Sequence, residues 1–183
     1  MKTQDKLTKL IIAGFGGQGV LTMGVILANS AVVEEKNATW LPSYGPEMRG
    51  GTANCNVIVA EEEIGSPIIT SPDILVVFNL PSMEKFLPRL RKGGILIYNS
   101  SLIKKKIERD DIKKIALPLV ELTKKIKNPK VGNMIALGSL LKLTGLVSKD
   151  SVVESLKKNF KDKKELVEIN KKALDLGYEY VKS

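Results

Sequence analysis

A glycine-rich turn between a buried strand and a helix constrains this chain more than any other feature. The apolar run Leu10–Ala13 leads into Gly-Phe-Gly-Gly-Gln-Gly at residues 14–19, and the helical pattern Val20–Val33 follows at once. Such a turn lets a ligand approach the backbone and offers the free N–H groups of a helix N-terminus to a phosphate. A tight turn without a ligand is the alternative. The residues predicted to bind a cofactor here are Gly14, Gly16, Gly17, Gln18 and Gly19.

Apolar runs alternate with helix-period segments along the chain, which is typical of an α/β layer fold. We expect a three-layer α/β/α sandwich of Rossmann-like type with a mainly parallel sheet. Ala53–Ala60 is the candidate for an antiparallel strand, because only a loop separates it from the strand before it. A helix interrupted by Pro88 is predicted at Ser82–Arg91. The predicted strands are Leu10–Ala13, Ala38–Leu41, Ala53–Ala60, Asp73–Phe78, Gly94–Tyr98 and Lys114–Leu117.

From about residue 133 the pattern becomes helical. Ser151 with Glu154 resembles a capping box. Asn133 has two interpretations that stay open, a cap at the start of its helix or a contact to a bound cofactor. We expect these helices to cover the sheet within a single domain of residues 1–183. The predicted helices are Asn133–Leu143, Ser148–Phe160 and Lys164–Tyr180.

A standard nicotinamide dinucleotide site needs an acidic residue at the end of the second strand, where it binds the ribose hydroxyls. Here that strand ends in Trp-Leu-Pro-Ser at residues 40–43, without a carboxylate. Glu34 and Glu35 lie at the end of the preceding helix, which is the wrong place. A stand-alone dinucleotide-binding protein of Rossmann type is therefore kept as the alternative hypothesis.

The second unusual stretch is the Gly/Pro-rich loop at residues 42–51, Pro-Ser-Tyr-Gly-Pro-Glu-Met-Arg-Gly-Gly. Long irregular loops at strand ends often carry function. Arg49 is suited to a phosphate or carboxylate contact, and two glycines would let the backbone approach a neighbour. A structural loop pinned by an Arg49–Glu47 or Arg49–carbonyl bond is the alternative. The predicted binding residues are Tyr44, Arg49, Gly50 and Gly51, at the same sheet edge as the glycine turn.

The chain has one Cys and no His. A four-cysteine iron–sulfur cluster, a zinc site of Cys and His, and an imidazole base are therefore impossible within it. Cys55 lies in a predicted strand and is expected to be a small buried hydrophobic residue. We predict no metal site and no catalytic residue in this chain.

The net charge of +9 comes almost entirely from lysine, since only four of the 29 basic residues are arginines. Scarce arginine and 5% aromatic residues argue against a nucleic-acid-binding module, the third hypothesis. No apolar run approaches the ~20 residues that a membrane span needs. We expect a cytoplasmic protein that binds neither nucleic acid nor membrane.

Together, the two loops resemble the gamma component of the 2-oxoacid:ferredoxin oxidoreductases. Gly-Asn-Met-Ile-Ala-Leu-Gly at residues 132–138 also resembles the apolar helix of that family. One departure is Met48, where the family more often has Gln. The resemblance implies oxidative decarboxylation of a 2-oxoacid on thiamine diphosphate, with transfer of the acyl group to coenzyme A.

The resemblance further implies that the cofactors belong to other chains. Thiamine diphosphate, Mg and iron–sulfur clusters would be held by alpha-, beta- and delta-type subunits, with ferredoxin as the electron acceptor. This chain would contribute assembly contacts and part of a coenzyme A or anion site. The isolated chain is therefore predicted to be inactive.

Overall fold

Six strands form one sheet in the order β2-β3-β1-β4-β5-β6. The structure is a computed structural model that describes residues 7–44, 52–161 and 163–181. Each predicted strand is present, and the bounds differ by only a few residues from those predicted. The strands are β1 Leu7–Phe15, β2 Asn37–Tyr44, β3 Thr52–Ala60, β4 Ile74–Val77, β5 Ile95–Asn99 and β6 Lys113–Leu117.

The sheet is mixed but mainly parallel. β1, β4, β5 and β6 pair in parallel, whereas β3 lies antiparallel between β1 and β2. β2 therefore points the same way as β1. The predicted mainly parallel sheet and its antiparallel strand are both confirmed. The antiparallel pairing arises because two strands joined by a short segment pair most easily as neighbours of opposite direction.

Helices cover both faces of the sheet, so the three-layer prediction is confirmed, although the layers are unequal. The larger core includes buried residues of α1 and α3 to α6, whereas α2 packs with loop residues on the other face. In α1 the apolar residues Val20, Met23, Ile26, Leu27 and Ala31 lie near one face and are all buried. The helices are α1 Val20–Val33, α2 Leu80–Phe86, α3 Leu119–Ile126, α4 Gly132–Thr144, α5 Lys149–Phe160 and α6 Lys164–Tyr180.

Two predictions about helix starts are wrong. Ser148 caps α5, since its side chain accepts a bond from the Ser151 N–H at 3.1 Å, so no capping box forms from Ser151 and Glu154. Helix α4 begins at Gly132 with Val131 in the cap position, so Asn133 is not its N-cap. In both cases the helix begins one or more residues before the predicted cap.

The helix predicted at Ser82–Arg91 begins earlier and ends earlier. Asn79 caps α2 by accepting from the Ser82 N–H at 2.8 Å, and Pro88 lies in the 3₁₀ turn Leu87–Arg89 that follows the helix. Helix α3 and the 3₁₀ turn Pro129–Val131 have no counterpart among the predicted elements. Among the helices described, none combines the length and apolar character that a bilayer crossing requires.

Candidate functional site

The carboxyl ends of the parallel strands meet at one edge of the sheet, and both loops singled out from the sequence start there. Phe15, the last residue of β1, pairs with Thr52, and Tyr44, the last residue of β2, pairs with Ala53. The backbone at residues 44 and 52 therefore anchors the second loop beside the glycine turn. Arg49, Gly50, Gly51 and the side chain of Tyr44 lie outside the described residues, so their binding roles stay predictions.

The glycine turn has the backbone shape that its sequence predicts. Gly17 and Gly19 have positive φ angles of 93° and 73°, in the region that favours glycine. A Cβ atom at Gly17 would meet nothing within 4 Å, so this residue faces open space. At Gly19 a Cβ atom would lie 2.4 Å from Nδ2 of Asn133, so the neighbouring side chain occupies that space.

Gln18 is turned back onto the protein. Its Oε1 accepts from the Phe15 N–H at 2.7 Å and from Nδ2 of Asn79 at 3.5 Å. Gly14 leaves room for this arrangement, because a Cβ there would lie 2.6 Å from the same Oε1. The side chain of Gln18 therefore stabilises the turn and, since Gln18 also lines the adjacent cavity, shapes its wall.

Helix α1 begins at this turn without a side-chain cap. Gly19 occupies the cap position, no acidic residue lies in the first turn, and the Met23 N–H donates to the Gly19 carbonyl at 2.9 Å. The N–H groups of Val20, Leu21 and Thr22 have no acceptor within the helix, and the helix dipole favours an anion beside them. An acceptor is expected for them.

A cavity of about 460 Å³ lies next to this helix start. Its lining spans the glycine turn, the ends of β4 and β5, helix α3 and the segment that leads into α4. Because β3 and β2 lie on one side of β1, and β4 to β6 on the other, the chain reverses its direction of winding between β1 and β4. Open α/β sheets bind ligands at such a point. The lining residues are Gly17, Gln18, Phe78, Asn99, Leu102, Leu119, Val120, Thr123, Lys124, Lys127, Asn128, Pro129, Lys130 and Gly132.

The cavity combines an apolar wall with a rim of three lysines, the lysine rim. Phe78 and Leu119 are buried, whereas Lys124, Lys127 and Lys130 are exposed around it. No acidic residue is among the lining residues of the described chain. This arrangement suits an organic ligand that carries several negative charges.

Among the described residues, neither a metal-ligating cluster nor a reactive thiol lies near this cavity. Within the ranges that the structure describes, no group of three or more His, Cys, Asp or Glu residues could hold a metal ion. Cys55 is buried, as predicted, and burial raises the pKa of its thiol to about 12, although the neighbouring Trp40 indole acts in the opposite direction. The thiol therefore stays protonated at neutral pH and is no nucleophile.

The acidic residues expected to be misplaced for a dinucleotide are indeed elsewhere. Glu34 follows α1, three residues before Asn37, and Asn37 pairs with Ala60 at the opposite edge of the sheet from the glycine turn. Its carboxylate accepts from the Ser148 N–H at 2.6 Å. Glu34 therefore joins α1 to α5 and is not available to a ribose.

The model of the pyruvate ferredoxin/flavodoxin oxidoreductase family matches residues 9–180 of the chain. The chain belongs to this family. The resemblance seen in the two loops is thereby confirmed for nearly the whole sequence.

Two relatives within the family carry subunit names. The ketoisovalerate oxidoreductase subunit VorA of Methanothermobacter marburgensis is 38% identical over 93% of this chain, but the chain spans only 36% of VorA. The 2-oxoglutarate synthase subunit KorC of Methanocaldococcus jannaschii is 34% identical, and the match covers 99% of this chain and 98% of KorC. The same domain thus matches a whole subunit in one relative and about a third of a longer one in the other.

Solved structures agree with the fold. A keto/oxoacid ferredoxin oxidoreductase gamma subunit from Geobacter sulfurreducens has a TM-score of 0.80 and 29% identity, over 94% of this chain and 96% of that one. The 2-oxoglutarate:ferredoxin oxidoreductase of Magnetococcus marinus, with 2-oxoglutarate, coenzyme A and succinyl-CoA bound, has a TM-score of 0.88 at 22% identity, over 98% of this chain and 32% of that one. At that identity the second likeness shows the fold alone.

Several of the residues that line the cavity were not predicted from the sequence. Helix α3 and the segment that follows it supply all three lysines of the rim, and Phe78 and Asn99 come from the ends of β4 and β5. Asn99 could have been predicted, because a polar residue at the carboxyl end of a buried parallel strand often faces a ligand. The α3 signal was the spacing of Leu119, Leu122 and Ile126 after Pro118, which fits one apolar helix face.

Proposed function

We propose that this chain is the gamma-type component of a 2-oxoacid:ferredoxin oxidoreductase and that it holds coenzyme A at the edge where the parallel strands end. The observation that carries the proposal is the cavity, which places three lysines and an apolar wall beside the glycine turn that begins α1, in a chain of this family. Coenzyme A has this composition, since it combines anionic phosphates with a long, largely uncharged organic arm.

Two groups of residues would bind different parts of coenzyme A. The N–H groups at the start of α1 and the ammonium groups of Lys124, Lys127 and Lys130 would offset the phosphate charges. Phe78 and Leu119 would contact the uncharged part of the ligand. The glycine turn keeps the backbone accessible, because Gly17 has open space where a side chain would otherwise stand.

The chemistry itself would take place in partner chains. Thiamine diphosphate with Mg would support decarboxylation, and iron–sulfur clusters would carry the electrons to ferredoxin. The single, buried Cys55 cannot hold a cluster, which agrees with placing these cofactors in alpha-, beta- and delta-type subunits. A place in the cytoplasm stays a prediction from the sequence.

The choice of 2-oxoacid would be made outside this chain. The relatives VorA and KorC are named for ketoisovalerate and for 2-oxoglutarate, although this chain matches both with similar identity of 38% and 34%. A domain that is shared by enzymes for a branched apolar and an acidic substrate would not distinguish between the two. We propose that it supplies the acceptor that both reactions share.

Titration of the purified chain with coenzyme A by calorimetry tests this proposal. Replacing Lys127 and Lys130 together with Ala should raise the dissociation constant by about two decades, since each charge-assisted contact contributes on the order of 1.5 kcal/mol. The matched control replaces Lys157 and Lys171, exposed lysines of α5 and α6, with Ala and should leave affinity unchanged. Equal losses in the two double variants, or no binding by the wild type, would contradict the proposed site.

A further inference from the structure

Asn133 connects the glycine turn to the start of helix α4. Its Nδ2 donates to the Gly19 carbonyl at 3.1 Å, and its Oδ1 accepts from the Met134 N–H at 2.9 Å. The residue is only 5% exposed, and it is absent from the cavity lining within the described chain. Both polar atoms of its amide are thus engaged by the protein and not offered to a ligand.

The Gly19 carbonyl is a junction of two hydrogen bonds. It accepts from the Met23 N–H at 2.9 Å within α1 and from Asn133 across to α4. Gly19 itself has a φ of 73°, and its missing Cβ leaves the space that the Asn133 amide fills. The orientation of this peptide, and with it the first turn of α1, is therefore set by a side chain 114 residues away.

The two segments that Asn133 joins both contribute walls to one cavity. Gly17 and Gln18 of the turn are among its lining residues, and so are Lys130 and Gly132, just before Asn133. A ligand that contacts both walls needs them at a fixed separation, and preorganisation of this kind lowers the cost of binding. The bond from Asn133 to Gly19 links the walls directly.

We infer that Asn133 is a positioning residue, which holds the free N–H groups of α1 in register with the lysine rim and does not itself touch the ligand. This role differs from both sequence interpretations, a helix cap and a ligand contact. The inference rests on the proposed function, because the ligand whose binding it assists is coenzyme A.

Asn133→Leu is the variant that tests this role. Leu is close to Asn in size and adds no charge, so the change removes both hydrogen bonds without repelling an anion. We expect the dissociation constant for coenzyme A to rise about tenfold. We also expect faster hydrogen–deuterium exchange of the amides at residues 16–22, measured without ligand. Should Asn133→Leu not fold, the smaller Asn133→Ser, whose hydroxyl is too short to span both partners, takes its place.

Asn170→Leu is the matched control. Asn170 is 9% exposed in α6, and its Nδ2 donates to the Leu166 carbonyl at 2.7 Å, so the change removes a similar bond within one helix. The control should lower the melting temperature but leave coenzyme A affinity and exchange at residues 16–22 unchanged.

The outcomes separate the inference from the proposed function. If the wild type binds coenzyme A and Asn133→Leu binds it equally well, Asn133 is only structural and the inference is wrong. If the wild type binds no coenzyme A, the proposed function fails, and the exchange measurement alone decides whether Asn133 holds the turn. Unchanged exchange at residues 16–22 overturns the inference in either case.

Discussion

The ionisation of Glu34 is tied to the fold. Its carboxylate accepts from the Ser148 N–H at 2.6 Å, from the Ser151 hydroxyl at 2.9 Å and from Lys36 Nζ at 3.0 Å. Desolvation by burial raises the pKa of Glu34, but the hydrogen bonds from Ser148, Lys36 and Ser151 outweigh it and lower the pKa from 4.5 to about 2. The ionised form therefore stabilises the contact between the end of α1 and the start of α5.

This pKa predicts how stability depends on pH. Because the pKa is lower in the folded state, the contribution of Glu34 is fully present above pH 4.5 and is lost as the pH falls towards about 2. Glu34→Gln should reduce the free energy of unfolding by about 1–2 kcal/mol at pH 7, less than the full pKa shift implies because solvent screens the partly exposed carboxylate, and the difference from wild type should shrink below pH 4. Urea unfolding between pH 7 and pH 3 measures it.

The neighbouring Glu35 supplies the control for that measurement. It is exposed and lies at a positive φ of 59°, so Glu35→Gln keeps the backbone strain and changes only a surface charge. Its effect should stay below about 0.5 kcal/mol at every pH. A Glu34→Gln deficit that is the same at pH 7 and pH 3 would show that the carboxylate charge does not stabilise the fold.

Local sequence identified the glycine turn but not the partners of its side chains. The spacing of Gly14, Gly16 and Gly19 between a strand and a helix was sufficient to predict the turn and its helix. It could not show that Gln18 folds back onto Phe15 or that Asn133 reaches Gly19, because the second bond joins residues 114 apart. Contacts of that kind depend on how helices pack, which no local pattern encodes.

At the scale of elements, α4 and α6 cross at unusually short range. A Cβ atom at Gly138 would lie 2.0 Å from the Leu174 carbonyl oxygen, and one at Gly177 would lie 1.9 Å from the Ile135 carbonyl oxygen. The Ser139 hydroxyl also donates to the Gly177 carbonyl across this contact, at 2.9 Å. The two glycines therefore let the helix backbones touch.

Gly138→Ala should consequently destabilise the protein, although Ala is the better helix former. The added methyl group meets backbone and not a movable side chain, so the helices must separate, at a cost of about 1–3 kcal/mol or more. Gly132→Ala, in the same helix, meets its nearest atom at 3.7 Å and should be neutral or slightly stabilising. Thermal unfolding of both variants measures the contrast, and equal melting temperatures would contradict the close crossing.

Element type was predictable where one pattern dominated and not where signals were mixed. The bounds of α1 and α6 were predicted as they are, because long apolar stripes fix both helices. Helix α3 was missed because it is short, follows Pro118 and carries two adjacent lysines. The sheet order was beyond reach of local pattern, since the insertion of β3 beside β1 is decided by pairing and not by propensity.

At the scale of the whole molecule, the groups that are proposed to bind the ligand lie at one edge of the sheet. The glycine turn, the lysine rim and the anchors of the second loop share that edge. The relatives VorA and KorC are named as subunits, which agrees with the proposal that the ligand reacts in a partner chain.

Reduction of methyl viologen with pyruvate, 2-oxoglutarate or 2-oxoisovalerate plus coenzyme A tests this account most directly. The complex purified with its partner subunits should reduce the dye with one of these acids, in a manner that depends on both coenzyme A and this chain. The isolated chain should give no reduction and no iron–sulfur absorption. Turnover by the isolated chain, or undiminished coenzyme A-dependent turnover by the partners without it, would contradict the account.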